Sequence, residues 1–321
     1  MERTLNITNG DSAVDIMLRA GITGKLLPWQ DVLHDGPVPP GLMLEELSKV
    51  RASFIADRGW ASLEAVQQVF KYRDHVLESS EQYEKVILWF EHDLYDQLQI
   101  LQILDWFHQH RPIKTELSII CLDQYLGMMS PEQMVALCQH ELAVTEEQLV
   151  LASTAWSAFR CATPENWHAL LQTDTRALPY LSGAITRLLE EYPHCRHGLS
   201  RTAWQALNII AQGEMRPGRV FGLYQETEER KFMGDASFWV LLNELLESDP
   251  PLLRLSEGET LTLPPSPGQS LMITPAGEKV LAGKNNWLNS VELDRWIGGV
   301  HLTSDNSWCW DPVTASITRI S

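Results

Sequence analysis

The stretch KVILWFEHDLYDQ, residues 85–97, decides how the N-terminal part of the chain is read. Val86 to Phe90 is a continuous apolar run, too short for a helix and without the alternation of a strand that has one wet face. It predicts a strand buried on both sides. Glu91, His92 and Asp93 end that run with groups that do not belong in a core. From Tyr95 to His110 a helix follows, with Leu98, Leu101, Ile103, Leu104 and Phe107 on a broad apolar face.

The same unit recurs outward from this stretch. Thr4 to Thr8 reads as a strand, Asn9-Gly10-Asp11 as a turn, and Ser12 to Ala20 as a helix in which Ser12 and Asp15 have capping-box spacing. Gly24 to Trp29 reads as a second short strand, Gln30 to Gly41 as a loop punctuated by Pro and Gly, and 42–58 and 62–79 as helical. Glu116 to Leu122 is another buried strand. Strands alternating with helices predict a Rossmann-like, largely parallel sheet over residues 1–125. Residues 126–197 read as a helical segment, continuous from Pro131 to Tyr192.

Residues 198–321 have the order of a winged helix: helices over 201–212 and 236–247, strands near 261–263 and 271–273, and a helix opening at Thr274-Pro275. The stretch between the first two helices, rich in Gly and charge, reads as a loop. A tail of short β strands follows from Gly298 to Ile320.

Composition narrows the function classes. Of 321 residues, 44% are hydrophobic and 21% charged, as in an ordinary folded chain. No run of about 18 apolar residues could span a bilayer, and the polar start from Met1 lacks the layout of a signal peptide. The expectation is a cytoplasmic protein with no membrane association. The net charge of -17 is concentrated in residues 1–195, where 14 Lys and Arg face 27 Asp and Glu. An acidic surface repels phosphate backbones and argues against nucleic acid as a partner; small molecules or proteins fit better. Five widely spaced cysteines without a C-x-x-C pair predict buried thiols and no disulfide framework. His194-Cys195-Arg196-His197 has zinc-type ligands but lacks a fourth at usual spacing. The helical tryptophans Trp106, Trp156 and Trp204 read as core.

Ligands of an open α/β sheet bind outside the carboxyl ends of its strands, and the polar clusters fall there. Asn9, Gly10, Asp11 and Ser12 follow the first strand, where a helix N-terminus can receive an anion such as phosphate; neither G-x-G-x-x-G nor a P-loop is present. Glu91, His92, Asp93 and Asp96 follow the 85–90 strand and Asp123 the next. Carboxylates with an imidazole serve either as divalent-metal ligands, Glu91 and Asp93 first, or as a general acid–base pair. The plainer role is also open: Asp93 caps the next helix and Asp96 favours its dipole. His34, between Asp31 and Asp35, is a candidate for proton transfer, and Arg51 for an anion contact.

Several of these motifs together resemble a known bacterial family, that of domain of unknown function 1835. They are Ile7-Thr8-Asn9-Gly10-Asp11-Ser12, Leu27-Pro28-Trp29-Gln30-Asp31-Val32-Leu33-His34-Asp35-Gly36-Pro37, Trp89 to Gln97, and Gly198-Leu199-Ser200-Arg201-Thr202. Phe232-Met233-Gly234-Asp235 and Gly298-Gly299-Val300-His301-Leu302 are similar to the region that accompanies that domain in its long members. The resemblance implies the same domain order and assigns no catalytic role.

Two functions are therefore expected as alternatives. One is an enzyme, a hydrolase or group transferase, acting on a phosphorylated or nucleotide-like small molecule, with Glu91, His92, Asp93 and His34 at the reacting centre and Asn9, Gly10, Asp11, Ser12, Asp31, Arg51 and Asp96 around the ligand. The other is a ligand sensor or adaptor whose winged-helix-like region binds a protein. DNA is the weaker partner, because the helix over 236–247 has no Lys or Arg and only Asn243 could read a base.

Overall fold

The computed structural model describes residues 3–110, 114–258 and 260–320; Met1 and Glu2, at the polar start, lie outside them. The chain divides into two compact units, residues 1–185 with 298–300, and 186–297 with 301–321.

In the first unit the elements run β1 (Thr4–Thr8), α1 (Asp11–Arg19), β2 (Lys25–Pro28), the two-residue β3 (Gly36–Pro37), α2 (Leu44–Asp57), α3 (Leu63–Glu78), β4 (Lys85–Phe90), α4 (Leu94–His110) and β5 (Glu116–Cys121). They continue with α5 (Pro131–Ala136), β6 (Leu142–Ala143), α6 (Glu146–Phe159) and α7 (Glu165–Ala169). Five strands form one sheet in the order β2-β1-β4-β5-β6. β1, β2, β4 and β5 are parallel, and β6 closes the edge antiparallel to β5. This is the Rossmann-like sheet that the apolar runs predict. β4 lies between β1 and β5, which is why Val86 to Phe90 are all buried.

Strand order reverses beside β1: the chain steps out to β2, then returns to place β4 on the other side of β1. The carboxyl ends of β1 and β4 therefore border the topological switch point, where open α/β sheets leave a crevice.

The middle helices α5, α6 and α7 belong to the first unit and are no unit of their own; α6 packs on α4. The 131–192 stretch is also not helical throughout, since Leu142 and Ala143 pair with Ile119 and Ser118 and satisfy the sheet edge. Ser130 and Thr145 form capping boxes with Gln133 and Gln148 as their spacing suggests. The box expected at Ser12 and Asp15 does not form. α1 starts one residue earlier, at Asp11, so its cap falls on Gly10, which has no side chain to offer.

The loop from Trp29 to Pro37 is bolted down from beneath. Arg51, fully buried on α2, gives Nε to Asp31 Oδ1 at 2.9 Å, Nη1 to the carbonyls of Asp35 (2.8 Å) and Pro37 (3.3 Å), and Nη2 to that of Val32 at 3.0 Å. Arg73 of α3 donates to Trp29 O at 3.1 Å and lies over the Trp29 and Phe70 rings. Gln99 of α4 holds Asp31 O at 3.1 Å. Gly36 has φ +80, and a Cβ there would collide with the Phe54 ring, so the turn closes onto α2 only with glycine.

The second unit continues with α8 (Leu181–Leu189), α9 (Arg201–Ile210), α10 (Pro217–Thr227), α11 (Asp235–Glu247), β7 (Leu253–Leu255), β8 (Leu271–Ile273), α12 (Pro275–Leu281), β9 (Arg295–Gly298), β10 (Val300–Leu302), β11 (Trp308–Asp311) and β12 (Ser316–Arg319), of which α8, β9 and β10 also contribute residues to the first. Two expectations change here. The stretch read as a loop contains α10, which starts at Pro217 and buries Val220 and Tyr224 one turn apart. The partner of β8 is β7 and not 261–263. Leu261 instead has its N–H and carbonyl bound by the Asn243 side chain, at 2.8 and 3.2 Å, which replaces a strand ladder.

The cysteine expectation is also corrected. Cys195 and Cys309, 114 residues apart, form a disulfide because β11 runs beside 193–195. The other three are not core thiols: Cys121 and Cys161 are half-buried and Cys138 is exposed.

Arg51→Ala should destabilise the first unit by about 3–5 kcal/mol, since it removes the closer of the two cations beside buried Asp31, leaving only Arg73 at 3.9 Å, and frees three loop carbonyls. Urea unfolding checks this, and a loss below about 1 kcal/mol would contradict the clamp.

Candidate functional site

β1 and β4 end side by side, with Thr8 in register with Trp89. The next residues, Asn9 on one strand and Glu91 to Asp93 on the other, are thus delivered to the same end of the sheet. β4 ends at Phe90, so Glu91, His92 and Asp93 are not bound to the alternating directions of a strand.

Three of the expected residues converge. Carboxylate oxygens of Glu91, Asp93 and Asp96 all lie within 4.8 Å of one another, and all three side chains are buried. Asn9 Nδ2 bridges two of them, donating to Glu91 Oε1 at 2.9 Å and Asp96 Oδ2 at 3.0 Å. The Leu126 N–H adds 2.7 Å to Glu91 Oε1, and Asp96 Oδ1 accepts the Glu91 N–H at 2.7 Å. Asp93 does cap α4, its Oδ1 accepting from Tyr95 N at 2.9 Å and Asp96 N at 3.2 Å. Capping occupies one oxygen of Asp93, and the cluster is a further role for the group.

Electrostatics make the cluster unusual. Each carboxyl is pushed above its ordinary value, first by burial; for Asp93, up to about 8, the Glu91 charge adds to it, and for Asp96 the charges of Asp93 and Glu91 do. Asn9 and the Leu126 amide work in the opposite direction on Glu91. No Lys or Arg among the described residues forms an ion pair with any of the three. Three buried carboxyls without a Lys or Arg partner among the described residues are stabilised by holding protons or by a bound cation. Their all-oxygen donor set, with the Asn9 amide tying two of them, suits a hard divalent ion.

The other expected residues stand around or apart from this cluster. His92 is buried and packs against the rings of Tyr125 at 5.2 Å and Tyr180 at 5.9 Å. His34 is buried against Tyr95, with centroids 6.0 Å apart, one residue from Asp96 in the chain. Gly10 has open space where a Cβ would be, and Asp11 and Ser12 are exposed at the start of α1. Asp31 and Arg51 face each other in the loop clamp, and Asp123 is exposed outside the cluster.

Several contributors have no mark in the sequence. Gln97 Nε2 and Cys121 Sγ both reach Glu91 O, at 2.8 and 3.4 Å, and burial first pushes the Cys121 thiol up to about 12. The buried Thr8 hydroxyl has no hydrogen-bond partner among the described residues. Gln97 lies one turn from Asp93 on α4, and that spacing could have found it; the Leu126 amide lies 35 residues from Glu91 and no local pattern points to it.

Compared with protein-family models and with curated proteins, the sequence matches none.

Because Asp93 binds its proton more tightly in the folded state than in the unfolded chain, its contribution to stability is complete below the ordinary carboxylate range. It is lost as pH rises through about 8. Without divalent ions, the unfolding midpoint should therefore fall from pH 5 to pH 8, and Asp93→Asn should flatten the decline. Identical pH profiles for the two proteins would contradict the assignment.

Proposed function

We propose that the first unit is the catalytic unit of a cytoplasmic enzyme, a hydrolase or group transferase, that acts on a phosphorylated or nucleotide-like small molecule with a divalent cation. The observation that carries this reading is the convergence of Glu91, Asp93 and Asp96, buried, at the switch point of a parallel sheet. A cation there would neutralise the cluster, and it would polarise a phosphoryl oxygen or lower the pKa of a bound water. Magnesium is commonly held by one or two carboxylates together with substrate phosphates, so two of these three would suffice. The start of α1, at Asp11 and Ser12, offers N–H groups to the phosphate. His34, beside Tyr95, is the proton carrier in this reading. Two of the motifs by which the chain resembles the family of domain of unknown function 1835, Ile7 to Ser12 and Trp89 to Gln97, fall on these strand ends, and the resemblance belongs to the same proposal.

The second unit is read as a winged-helix-like module. Its order is α9, α10, α11, then the β7–β8 hairpin, and Met215 between α9 and α10 bridges Leu271 of β8 as a rudimentary first strand. α11 buries Phe238, Trp239, Leu241, Leu242 and Leu245, and Asn243 is spent on Leu261. This supports packing or a protein contact over DNA reading.

The test is thermal unfolding with Mg²⁺ or Mn²⁺ alone, with nucleotides and sugar phosphates alone, and with both. A ligand at about 100 times its dissociation constant adds about 2.7 kcal/mol, a shift of a few degrees. A cation-dependent shift that grows with a phosphorylated ligand and disappears in Glu91→Gln is expected, followed by product release in that mixture. A cation shift unchanged by Glu91→Gln, or none, would reject the site; synergy without turnover would convert the enzyme into a sensor.

A further inference from the structure

We propose that the second unit carries a binding site for an uncharged planar heteroaromatic ring of nucleobase size, in the pocket walled by His194, His197, Trp204 and Trp310. The inference goes beyond the reading of the first unit and does not depend on it.

The pocket encloses about 240 Å³. Sites for drug-sized ligands run roughly 300–1,000 Å³, so this one takes a single ring system. Its wall is a column of nearly parallel rings. His194 and His197 stack with centroids 4.1 Å apart at 15°, and Trp204 continues the column at 6.3 Å and 21°. Trp204, which its helical position assigns to a core, is 39% exposed and lines the pocket instead. An indole face left in a concave aromatic site is a stacking surface for another flat ring.

Charge selects which ring. Glu190 lines the pocket but is bound by Arg201 at 2.7 Å, and Arg201 also holds Glu229 at 2.6 Å, so neither an anion nor a cation finds an unmatched partner. Burial lowers both histidines, and for His197, at about 4, the neighbouring His194 and Arg196 add to the effect; both imidazoles are neutral at neutral pH. Nδ1 of each accepts a backbone N–H, from Arg196 at 3.0 Å and from Leu199 at 3.2 Å. The surface the pocket presents is almost wholly apolar, so a ligand meets ring faces there and is held by stacking, which a bicyclic heteroaromatic ring supplies over more area than benzene.

The wall is cross-linked without any ligand. The disulfide joins Cys195, beside His194, to Cys309, beside Trp310. Trp310 N–H also donates to Pro193 O at 2.8 Å, and Cys195 N–H to Trp310 O at 3.2 Å. Such preorganisation lowers the ordering cost of binding.

The experiment is a calorimetric titration of the full chain with adenine in EDTA, where the probe has no phosphate and no divalent ion is present. Saturable binding is expected, weakened about tenfold or more by Trp204→Ala and restored to within a few-fold by Trp204→Phe. Tetramethylammonium and benzene should bind more weakly than adenine. Absence of adenine binding, binding unaltered by Trp204→Ala, or tighter binding of either control would overturn the proposal.

Discussion

A cluster of ionisable carboxyls buried without a counter-charge is the constraint on which the first unit depends. Glu91, Asp93 and Asp96 sit together away from water with an amide, backbone N–H groups and one another for company. Leaving one ionised carboxylate in a low-dielectric interior costs several kcal/mol, and a second beside it costs more. A fold built only for stability would place apolar residues there. The sheet accepts the cost at the point where strand order reverses.

The rest of the unit holds this arrangement still. Arg51 and Arg73 fix the Trp29–Pro37 loop through side-chain and backbone bonds, and Gln99 ties the same loop to α4, whose first turn carries Asp96. Trp29 Nε1 reaches Gln102 on α4 at 2.8 Å. Two motifs that look like parts of one site are thus distinct in structure: Asp31 and Arg51 position backbone, and the carboxylates form the buried cluster. His34 rides on that backbone.

Legibility in the sequence followed the range of the interaction. The Lys85–Phe90 strand was readable because burial on both faces leaves a continuous apolar run, and α4 because its apolar face recurs with helical period. The convergence of Glu91 and Asp93 was readable because both follow a strand end, and Asp96 joins them from the first turn of α4. α10 was hidden by Gly218 and Gly222, which weaken the helical signal although Val220 and Tyr224 keep its buried face. The disulfide joins residues 114 apart, and the Leu126 amide meets Glu91 across 35; no local pattern carries such pairings. Trp204 misled because helical spacing reports which face is apolar and not whether a neighbour covers it.

The central claim is that the carboxylate cluster exchanges protons for a divalent cation. Calorimetry with Mn²⁺ near pH 7, in two buffers of different ionisation enthalpy, counts the protons released as the ion binds. One ion per chain with net proton release, abolished by Glu91→Gln with Asp93→Asn, is the predicted result. Binding without proton release, or binding that survives those substitutions, would contradict it.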